Sequence, residues 1–248
     1  LEANNCPNNL HSGPDLYHDR VWDCRSSETE AGSRLDFYLE SPDGDQGYPG
    51  NARITVSYTL TDEDSLVLDY HMVCDKDTVA NFTNHSYFNL AGHDSGDVMK
   101  PADEVSVPTG EIAPVAGTPM DFTEMKAIGR DIGADFEALV FGKGYDHNWV
   151  LDKEEGELAL AAKAMDPASG RVLECYTDLP GIQFYTANFL QDEMPGKGGA
   201  RYDYRHAFCF ETQYYPDAVH KPQFPSPLLK AGDEYSARTV YRFLPKQA

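Results

Sequence analysis

The chain contains short runs in which hydrophobic and polar residues alternate. In two of them, residues 53–60 and residues 65–73, polar and apolar residues alternate at almost every position. A period of two places apolar side chains on one face of a β-strand and polar side chains on the other. Both runs are therefore predicted to be strands with one buried face.

Turn-forming sequences separate these runs and others like them. Residues 158–165 suit either a strand or a helix, and the turn after them predicts a hairpin into residues 171–177. Many short strands at regular spacing favour an antiparallel sandwich or barrel. The turn sequences are Ser-Pro-Asp-Gly at 41–44, Tyr-Pro-Gly at 48–50, Asp-Pro-Ala-Ser-Gly at 166–170 and Leu-Pro-Gly at 179–181.

Helical signals are few. Residues 122–127 and residues 135–139 each suit a turn or two of helix. Without an internal repeat or a linker, residues 1–248 are predicted to form a single domain. Within it, residues 93–143 are rich in Gly and Pro and predict a long excursion, and such loops often carry function.

The segment Asn-Phe-Thr-Asn-His-Ser-Tyr-Phe-Asn-Leu-Ala-Gly-His at 81–93 raises the first chemical question. If it is a strand, one of its faces is almost entirely polar around a single histidine. That face would carry Asn81, Thr83, His85, Tyr87 and Asn89.

Three further segments carry polar residues within aromatic strands. In residues 144–152, Asp146 shares a face with Asn148; it is either a site residue or a cap at the start of a strand. In residues 181–190, Gln183 and Asn188 fall on opposite faces, and one of them can serve backbone groups at a sheet edge.

Glu211 is the most informative of these residues. It lies between Cys209 and Gln213 on one strand face, with aromatic residues on the other. Burial would raise its pKa towards the range in which a carboxylate both takes and returns a proton near neutral pH. The alternative is a glutamate held in a salt bridge.

Charge and cysteine content narrow the function further. A formal net charge of −21 repels nucleic acid and anionic membranes. Five cysteines without a Cys-x-x-Cys pair favour free thiols in a reducing, cytoplasmic compartment. The sequence contains no Gly-x-Ser-x-Gly, P-loop or His-Glu-x-x-His motif, and its histidines lack metal-ligand spacing, so neither a metal nor a cofactor is predicted.

Taken in order, these motifs resemble the aldose 1-epimerase (galactose mutarotase) family over essentially the whole chain. The matching stretches are Leu10-His-Ser-Gly-Pro, Ser41-Pro-Asp-Gly, Gly47-Tyr-Pro-Gly, Asn81 to Gly92, Gly144-Tyr-Asp-His-Asn, Leu179 to Asn188, Glu211-Thr-Gln with Pro216-Asp-Ala, and Ala231-Gly-Asp-Glu-Tyr. The resemblance implies an all-β fold, a large antiparallel β-sandwich with few short helices. It also implies an enzyme that interconverts the α and β anomers of free sugars such as galactose and glucose.

The resemblance also assigns roles to individual residues. Glu211 corresponds to the general base on the anomeric hydroxyl and His85 to the general acid on the ring oxygen. His11 corresponds to a partner of His85 in polarising that oxygen, and Asp146 and Gln183 to ligands of sugar hydroxyls. No metal and no cofactor are implied.

The amino-terminal side of the domain is where the chain departs from the family pattern. Family members usually carry further amino-terminal strands with an Asn-Arg pair, whose arginine contacts the sugar, and no Asn-Arg dipeptide occurs here. Ser12 and Cys6 also stand at positions that are usually glycine. The expectation is that the amino-terminal part of the family domain is absent and that the chain alone is weakly active. Either a separate segment or partner chain supplies the absent part, or the sequence is a piece of a longer one.

Three alternative functions remain open at this stage. One is a carbohydrate-binding sandwich without catalytic activity. Another is an enzyme acting on phosphorylated hexoses, for which Arg20, Lys143 and Lys197 are the candidate cations. The third is a glycoside hydrolase or lyase that uses Asp146 and Glu211 as its carboxylate pair.

Overall fold

The structure is a computed structural model that describes residues 1–5, 7–93, 95, 110–191 and 195–245. It divides into two compact units. The first contains residues 1–82 and 226–242, and the second contains residues 83–225 and 243–248. The single domain expected from the sequence stays a prediction.

Five long strands form an antiparallel ladder in the first unit, in the order β1-β2-β3-β4-β12. Two short strands, β5 and β11, form a second ladder. The bounds are β1 Asp23–Thr29, β2 Gly32–Ser41, β3 Ala52–Thr61, β4 Ser65–Cys74, β5 Thr78–Val79, β11 Leu228–Leu229 and β12 Glu234–Leu244. The strands predicted from alternation at 53–60 and 65–73 are β3 and β4, and both are confirmed.

Alternation also explains the core of this unit. Along β4, Leu68, Tyr70 and Met72 are buried while the residues between them are partly exposed. Tyr235, Ala237 and Tyr241 of β12 are buried in the same alternating way. The period of two thus places one face of β4 and one face of β12 in the core.

The second unit contains a three-stranded antiparallel sheet and a hairpin. The sheet has the order β10-β9-β6, and the hairpin joins β7 to β8. Residues 158–165, which suited strand or helix, are thus a strand, and the turn at 166–170 is confirmed. The bounds are β6 Asp146–Val150, β7 Ala159–Met165, β8 Val172–Thr177, β9 Gly181–Tyr185 and β10 Cys209–Gln213.

Helix is scarce in the part of the chain that the structure describes. One α-helix, α1 (Glu137–Phe141), lies close to the helical turn predicted at 135–139. The helix predicted at 122–127 is wrong: Asp121 Oδ1 instead accepts hydrogen bonds from the Thr123 amide and hydroxyl. The Phe122 ring packs against Tyr145 at 5.0 Å between centroids. Short 3₁₀ turns occupy Tyr17–Asp19, Asp45–Gly47, Lys197–Gly199 and Ala218–His220.

The polar segment at 81–93 is not a strand, which corrects the expectation from its sequence. Its one ladder contact is an isolated bridge between Phe88 and Phe208. Asparagine side chains serve its backbone instead: Asn84 Oδ1 accepts from the Ser86 amide, and Asn89 Oδ1 accepts from the Ala91 amide. These local bonds compete with strand pairing, as Asn side chains commonly do.

The long excursion is described only in part. Residues 110–136 contain no helix or strand, which agrees with the prediction, whereas residues 94 and 96–109 lie outside the described residues, as does Cys6. Among the described residues, no helix has the length and apolar character that crossing a membrane would require.

Candidate active site

The three-stranded sheet of the second unit presents one polar and one aromatic face. Asn148, Gln183 and Glu211 lie opposite one another across β6, β9 and β10. Side chains that face each other across antiparallel strands lie on the same side of the sheet. The polar face therefore consists of Asp146, Asn148, Gln183, Tyr185, Cys209, Glu211 and Gln213.

Aromatic packing covers the opposite face of this sheet. The Phe184 ring lies 5.6 Å from that of Phe210, 5.9 Å from that of Trp149 and 5.5 Å from that of Tyr145. This packing places an apolar layer behind the polar face. Polar groups on that face are therefore desolvated unless a ligand or another side chain contacts them.

Glu211 is the most deeply buried carboxyl group on this face, with an exposed fraction of 4%. Burial, and to a smaller extent the nearby charge of Asp146, raises the pKa of its carboxyl to about 8. Its Oε1 lies 3.6 Å from His85 Nε2. A carboxyl with this pKa exchanges protons readily near neutral pH.

His85 reaches the same place from the segment at 81–93. Its ring lies 5.0 Å from the Tyr87 ring and meets the edge of the Tyr185 ring at 5.9 Å. Its Nδ1 lies 3.5 Å from Cys209 Sγ. The imidazole therefore contacts two aromatic rings that also contact each other, with its Nε2 towards Glu211.

Asp146 and Gln183 form the next part of the polar face. Gln183 Nε2 donates a hydrogen bond of 2.8 Å to Asp146 Oδ1. Burial raises the pKa of Asp146 to about 6, against the opposing effect of this hydrogen bond. Gln183 Oε1 is buried and accepts no hydrogen bond within the described part of the chain. It is available to a ligand hydroxyl.

Asn188 has a structural role, as one reading of its strand suggested. Its Nδ2 donates to the carbonyl oxygens of Gly142 at 2.8 Å and Tyr145 at 2.9 Å. Arg205 Nε donates to Asn188 Oδ1 at 3.2 Å. These bonds anchor the loop that leads into β6, and so they position Asp146.

His147, the neighbour of Asp146, is also structural. Burial lowers the pKa of its imidazole to about 4, so it is neutral at physiological pH. Its Nδ1 accepts a hydrogen bond of 3.0 Å from the Asp146 amide. The ring therefore helps to fix the backbone from which Asp146 projects.

His11 belongs to the first unit. It lies in a turn with positive φ at His11, Ser12 and Gly13, and the Gly13 amide donates to the Leu10 carbonyl at 3.1 Å. A non-glycine residue in that conformation is uncommon. Its role as a partner of His85 stays a prediction.

Cys209 and Tyr185 were not singled out from the sequence as site residues. Cys209 precedes Glu211 by two positions, which places it on the same strand face. Tyr185 lies directly opposite Cys209 in the ladder. The two-residue spacing was visible in the sequence for Cys209, whereas the pairing of Tyr185 required the register.

Three possible metal ligands meet at this point. One atom each of His85, Cys209 and Glu211 lies within 4.8 Å of the others. Zinc binds such atoms at about 2.0–2.3 Å and requires a thiolate. Burial raises the pKa of the Cys209 thiol well above its ordinary value, so the thiol is protonated. The cluster would have to contract and lose that proton to hold a metal.

A cavity of about 1680 Å³ also lies in the second unit. Its lining is mainly apolar and includes Asp146 and Gln183 but neither His85 nor Glu211. The cavity therefore does not locate the His85–Glu211 pair. The polar sheet face, where Glu211 meets His85, is therefore a better candidate site for proton transfer than the cavity.

An all-β fold with a paired imidazole and buried carboxyl, beside amide and carboxylate groups, carries the kinds of side chain that proton transfer on a hydroxyl-bearing ligand requires. Comparison with known proteins gives the family. The sequence model of the family described as aldose 1-epimerase matches residues 1–242. This chain belongs to the aldose 1-epimerase family, whose members are isomerases.

Relatives with this activity in their names are similar over nearly the whole chain. A galactose mutarotase from Bos taurus is 42% identical and is matched over 98% of this chain and 71% of its own length. An aldose 1-epimerase from Escherichia coli K12 is 35% identical over 96% of this chain and 70% of its own length.

A solved structure of a similar protein supports the same fold. The GalM/aldose epimerase homologue from C. elegans superposes with a TM-score of 0.82 at 30% identity, over 98% of this chain and 74% of that one. The predicted all-β sandwich class is therefore confirmed.

Proposed function

We propose that this chain interconverts the α and β anomers of free aldohexoses such as galactose and glucose, with Glu211 as general base and His85 as general acid. The observation that carries the proposal is the 3.6 Å approach of His85 Nε2 to Glu211 Oε1 on a polar sheet face. Two groups that exchange protons at neighbouring positions are what anomer exchange requires.

The reaction needs one proton removed and one supplied. Glu211, as carboxylate, takes the proton of the anomeric hydroxyl, and His85, as imidazolium, gives its Nε2 proton to the ring oxygen. The bond between the ring oxygen and the anomeric carbon breaks, and the free aldehyde forms. After rotation about the bond to the next carbon, His85 takes its proton back from the hydroxyl that was the ring oxygen, and Glu211 gives its proton to the carbonyl oxygen. The ring then closes as the other anomer.

Neighbouring groups support a neutral, polyhydroxylated substrate. Gln183 Oε1 can accept a bond from a sugar hydroxyl, and Asp146 Oδ1, which already accepts from Gln183, can accept another. The proton partner of Glu211 here is an imidazole, not a second carboxyl, which favours ring opening over glycoside hydrolysis by a carboxylate pair.

The rival function of non-catalytic sugar binding is less well supported. Binding alone gives no reason to hold a carboxyl at a pKa of about 8 beside an imidazole. Burying a carboxyl costs stability, and such a cost is typical of catalytic sites.

Action on phosphorylated hexoses is also disfavoured. Of the candidate cations, Arg20 is paired with Asp15 and Asp45 in the first unit, and Lys143 lies over the Phe189 ring at 5.1 Å. Burial raises the pKa values of Asp146 and Glu211, and a phosphate placed close to them would add like charge.

Polarimetry on freshly dissolved α-D-galactose and α-D-glucose tests the proposal. We expect the protein to accelerate the approach to the anomeric equilibrium in proportion to its concentration. Sugar binding by calorimetry without any acceleration would instead support the binding module. Acceleration confined to a hexose 6-phosphate would support the phosphate enzyme.

The cysteines support a reducing, cytoplasmic compartment for this activity. Cys24, Cys74, Cys175 and Cys209 are free thiols, and all but Cys24 are buried. Burial protects three of them from oxidation, and a reducing compartment suits the exposed one.

A further inference from the structure

Cys209 is placed to act on His85. It lies on the polar face two positions before Glu211 and is fully buried, with an exposed fraction of 0%. Its Sγ lies 3.5 Å from His85 Nδ1, on the side of the ring away from the nitrogen that approaches Glu211. The imidazole is thus contacted at one nitrogen by the sulfur and at the other by the carboxyl.

The two ring nitrogens have different tasks in the proposed reaction. If Nε2 gives its proton to the ring oxygen and later takes it back, Nδ1 must keep its proton throughout. The neutral imidazole formed after the transfer must then be the tautomer with hydrogen on Nδ1. A partner that accepts a hydrogen bond from Nδ1 selects this tautomer.

We propose that Cys209 is a positioning residue that fixes the tautomer and orientation of His85 by accepting a hydrogen bond from Nδ1–H at its sulfur. This inference rests on the proposed function, because it assigns Nε2 as the nitrogen that exchanges protons with the sugar. The thiol contacts neither substrate nor reacting atoms, and it acts only through His85.

A neutral sulfur suits this role better than a carboxylate. A carboxylate at Nδ1 would stabilise the imidazolium and hold back the proton that the reaction needs. A thiol sulfur is a weak acceptor, so it orients the ring with little preference for the charged form. The rings of Tyr87 and Tyr185 keep the imidazole from turning away from this contact.

Nitrogen NMR of the full chain labelled with ¹⁵N-histidine tests the inference without any substrate. The two ring nitrogens resonate far apart in a neutral imidazole, and which of them bears hydrogen is read directly from the spectrum. His85→Gln identifies the His85 signals. We expect neutral His85 in the wild-type protein to bear its hydrogen on Nδ1.

Two substitutions at Cys209 complete the test. Cys209→Ala removes the acceptor, and we expect the Nε2–H tautomer to become populated and kcat to fall about tenfold with KM changed by less than about twofold. Cys209→Ser keeps an acceptor, and we expect most of the wild-type tautomer and kcat to be retained. Thermal midpoints of both variants show whether each is folded, and the wild-type spectrum decides the inference if the alanine variant is not.

Cys175→Ala is the matched control. Cys175 is also fully buried in the second unit, and burial raises the pKa of its thiol. We expect no change in the His85 spectrum or in kcat.

An Nε2–H tautomer in the wild-type protein, or an unchanged spectrum in Cys209→Ala, would overturn the inference. The spectrum does not depend on turnover. An absence of mutarotation by the wild-type protein would therefore refute the proposed function while leaving the tautomer measurement to stand separately.

Discussion

Burial of Glu211 costs stability and gives its carboxyl a pKa suited to proton transfer. Glu211 lies on an aromatic-backed strand with an exposed fraction of 4%, and the charge of Asp146 adds to the effect of burial. Glu174 is the contrasting case in the same unit: it is also buried on a strand, but its carboxylate accepts from Lys163 Nζ at 2.7 Å. Glu174 is therefore paired with a lysine, whereas the partner of Glu211 is the imidazole of His85.

The first prediction concerns catalysis by Glu211. Glu211→Gln keeps the shape and hydrogen bonding of the side chain but removes the base. We expect kcat to fall by a factor of about 10²–10⁴, with sugar affinity within about tenfold of wild type. Polarimetry and calorimetry measure the two quantities, and Glu174→Gln serves as the control that keeps its activity. A near-normal kcat would remove Glu211 from the mechanism.

The second prediction concerns stability. The pKa of Glu211 is about 8 when folded and near the ordinary value of 4.5 when unfolded. Between these values the folded chain binds a proton that the unfolded chain has lost, so the free energy of unfolding falls as pH rises through this window. Above it the loss reaches on the order of 4 kcal/mol.

Glu211→Gln removes this dependence because an amide does not ionise. We therefore expect its free energy of unfolding to match that of wild type near about pH 5 and to exceed it near about pH 9. Urea denaturation at both pH values measures the difference. A constant difference between the two proteins across this range would show that Glu211 ionises in the folded state as freely as in water.

The third prediction concerns the charge of Asp146. Asp146→Asn removes a negative charge that raises the pKa of Glu211, so we expect the ascending limb of a bell-shaped kcat/KM profile to move to lower pH. We also expect KM to rise, because a sugar ligand is altered. Asp64→Asn, at an exposed turn in the first unit, is the control. An unmoved limb would show that the two carboxyl groups do not interact.

At the scale of elements, the close packing of β6, β9 and β10 depends on the glycine at position 181. A Cβ atom added to Gly181, the first residue of β9, would lie 2.8 Å from Asn148 Oδ1 and 2.9 Å from Tyr215 Cδ1. A side chain at this position therefore has to displace a polar-face residue or a buried ring.

The fourth prediction follows from this approach. We expect Gly181→Ala to lower the free energy of unfolding by about 1–3 kcal/mol and to raise KM, because Asn148 is pushed from its place on the polar face. Gly133→Ala, which has nothing within 4 Å of its added Cβ, should leave both quantities nearly unchanged. Thermal denaturation and polarimetry measure them. Equal effects of the two substitutions would contradict the steric argument.

The segment at 81–93 contributes through local bonds and not through a ladder. Asn84 and Asn89 accept from backbone amides two residues ahead, and Asn89 Nδ2 donates to the His206 carbonyl at 2.8 Å. These bonds replace the strand pairing that the segment lacks. They hold His85 and Tyr87 beside one another on the approach to β10.

At the scale of the whole molecule, charge is the dominant feature. The formal net charge of −21 comes from 41 acidic and 20 basic residues. Ion pairs such as Lys76–Asp43 and Lys230–Asp77 lie at the solvent-exposed surface, where water and salt screen them and they add little to stability. We therefore expect repulsion among the remaining acidic groups to outweigh what salt removes from these pairs.

The fifth prediction is that salt stabilises this protein. Raising ionic strength from about 0.01 M to about 0.15 M shortens the screening length from about 30 Å to about 8 Å. We expect the thermal midpoint to rise over this range, because self-repulsion in the folded state is weakened. Scanning calorimetry in sodium chloride measures it, with a neutral solute of equal osmolarity as the control. A falling midpoint would mean that ion pairs outweigh net charge.

The two strands with the cleanest alternation show what local pattern predicts well. A period of two depends only on neighbouring residues, so β3 and β4 were predictable within one residue at each end. Residues 158–165 fitted two periods, and the structure resolves them as β7 because β8 pairs with them. The helix predicted at residues 122–127 does not form, because Phe122 packs against distant rings instead.

The sequence by itself determined the strand-rich class, the resemblance to a family and the position of Glu211 on an aromatic-backed strand. Each of these depends on residue types at short spacing. Only the tertiary structure decided that His85 meets Cys209 and Glu211, that the 81–93 segment forms no strand, and that the pKa of Glu211 rises to about 8. These properties depend on register and burial between residues more than a hundred positions apart, which no local pattern encodes.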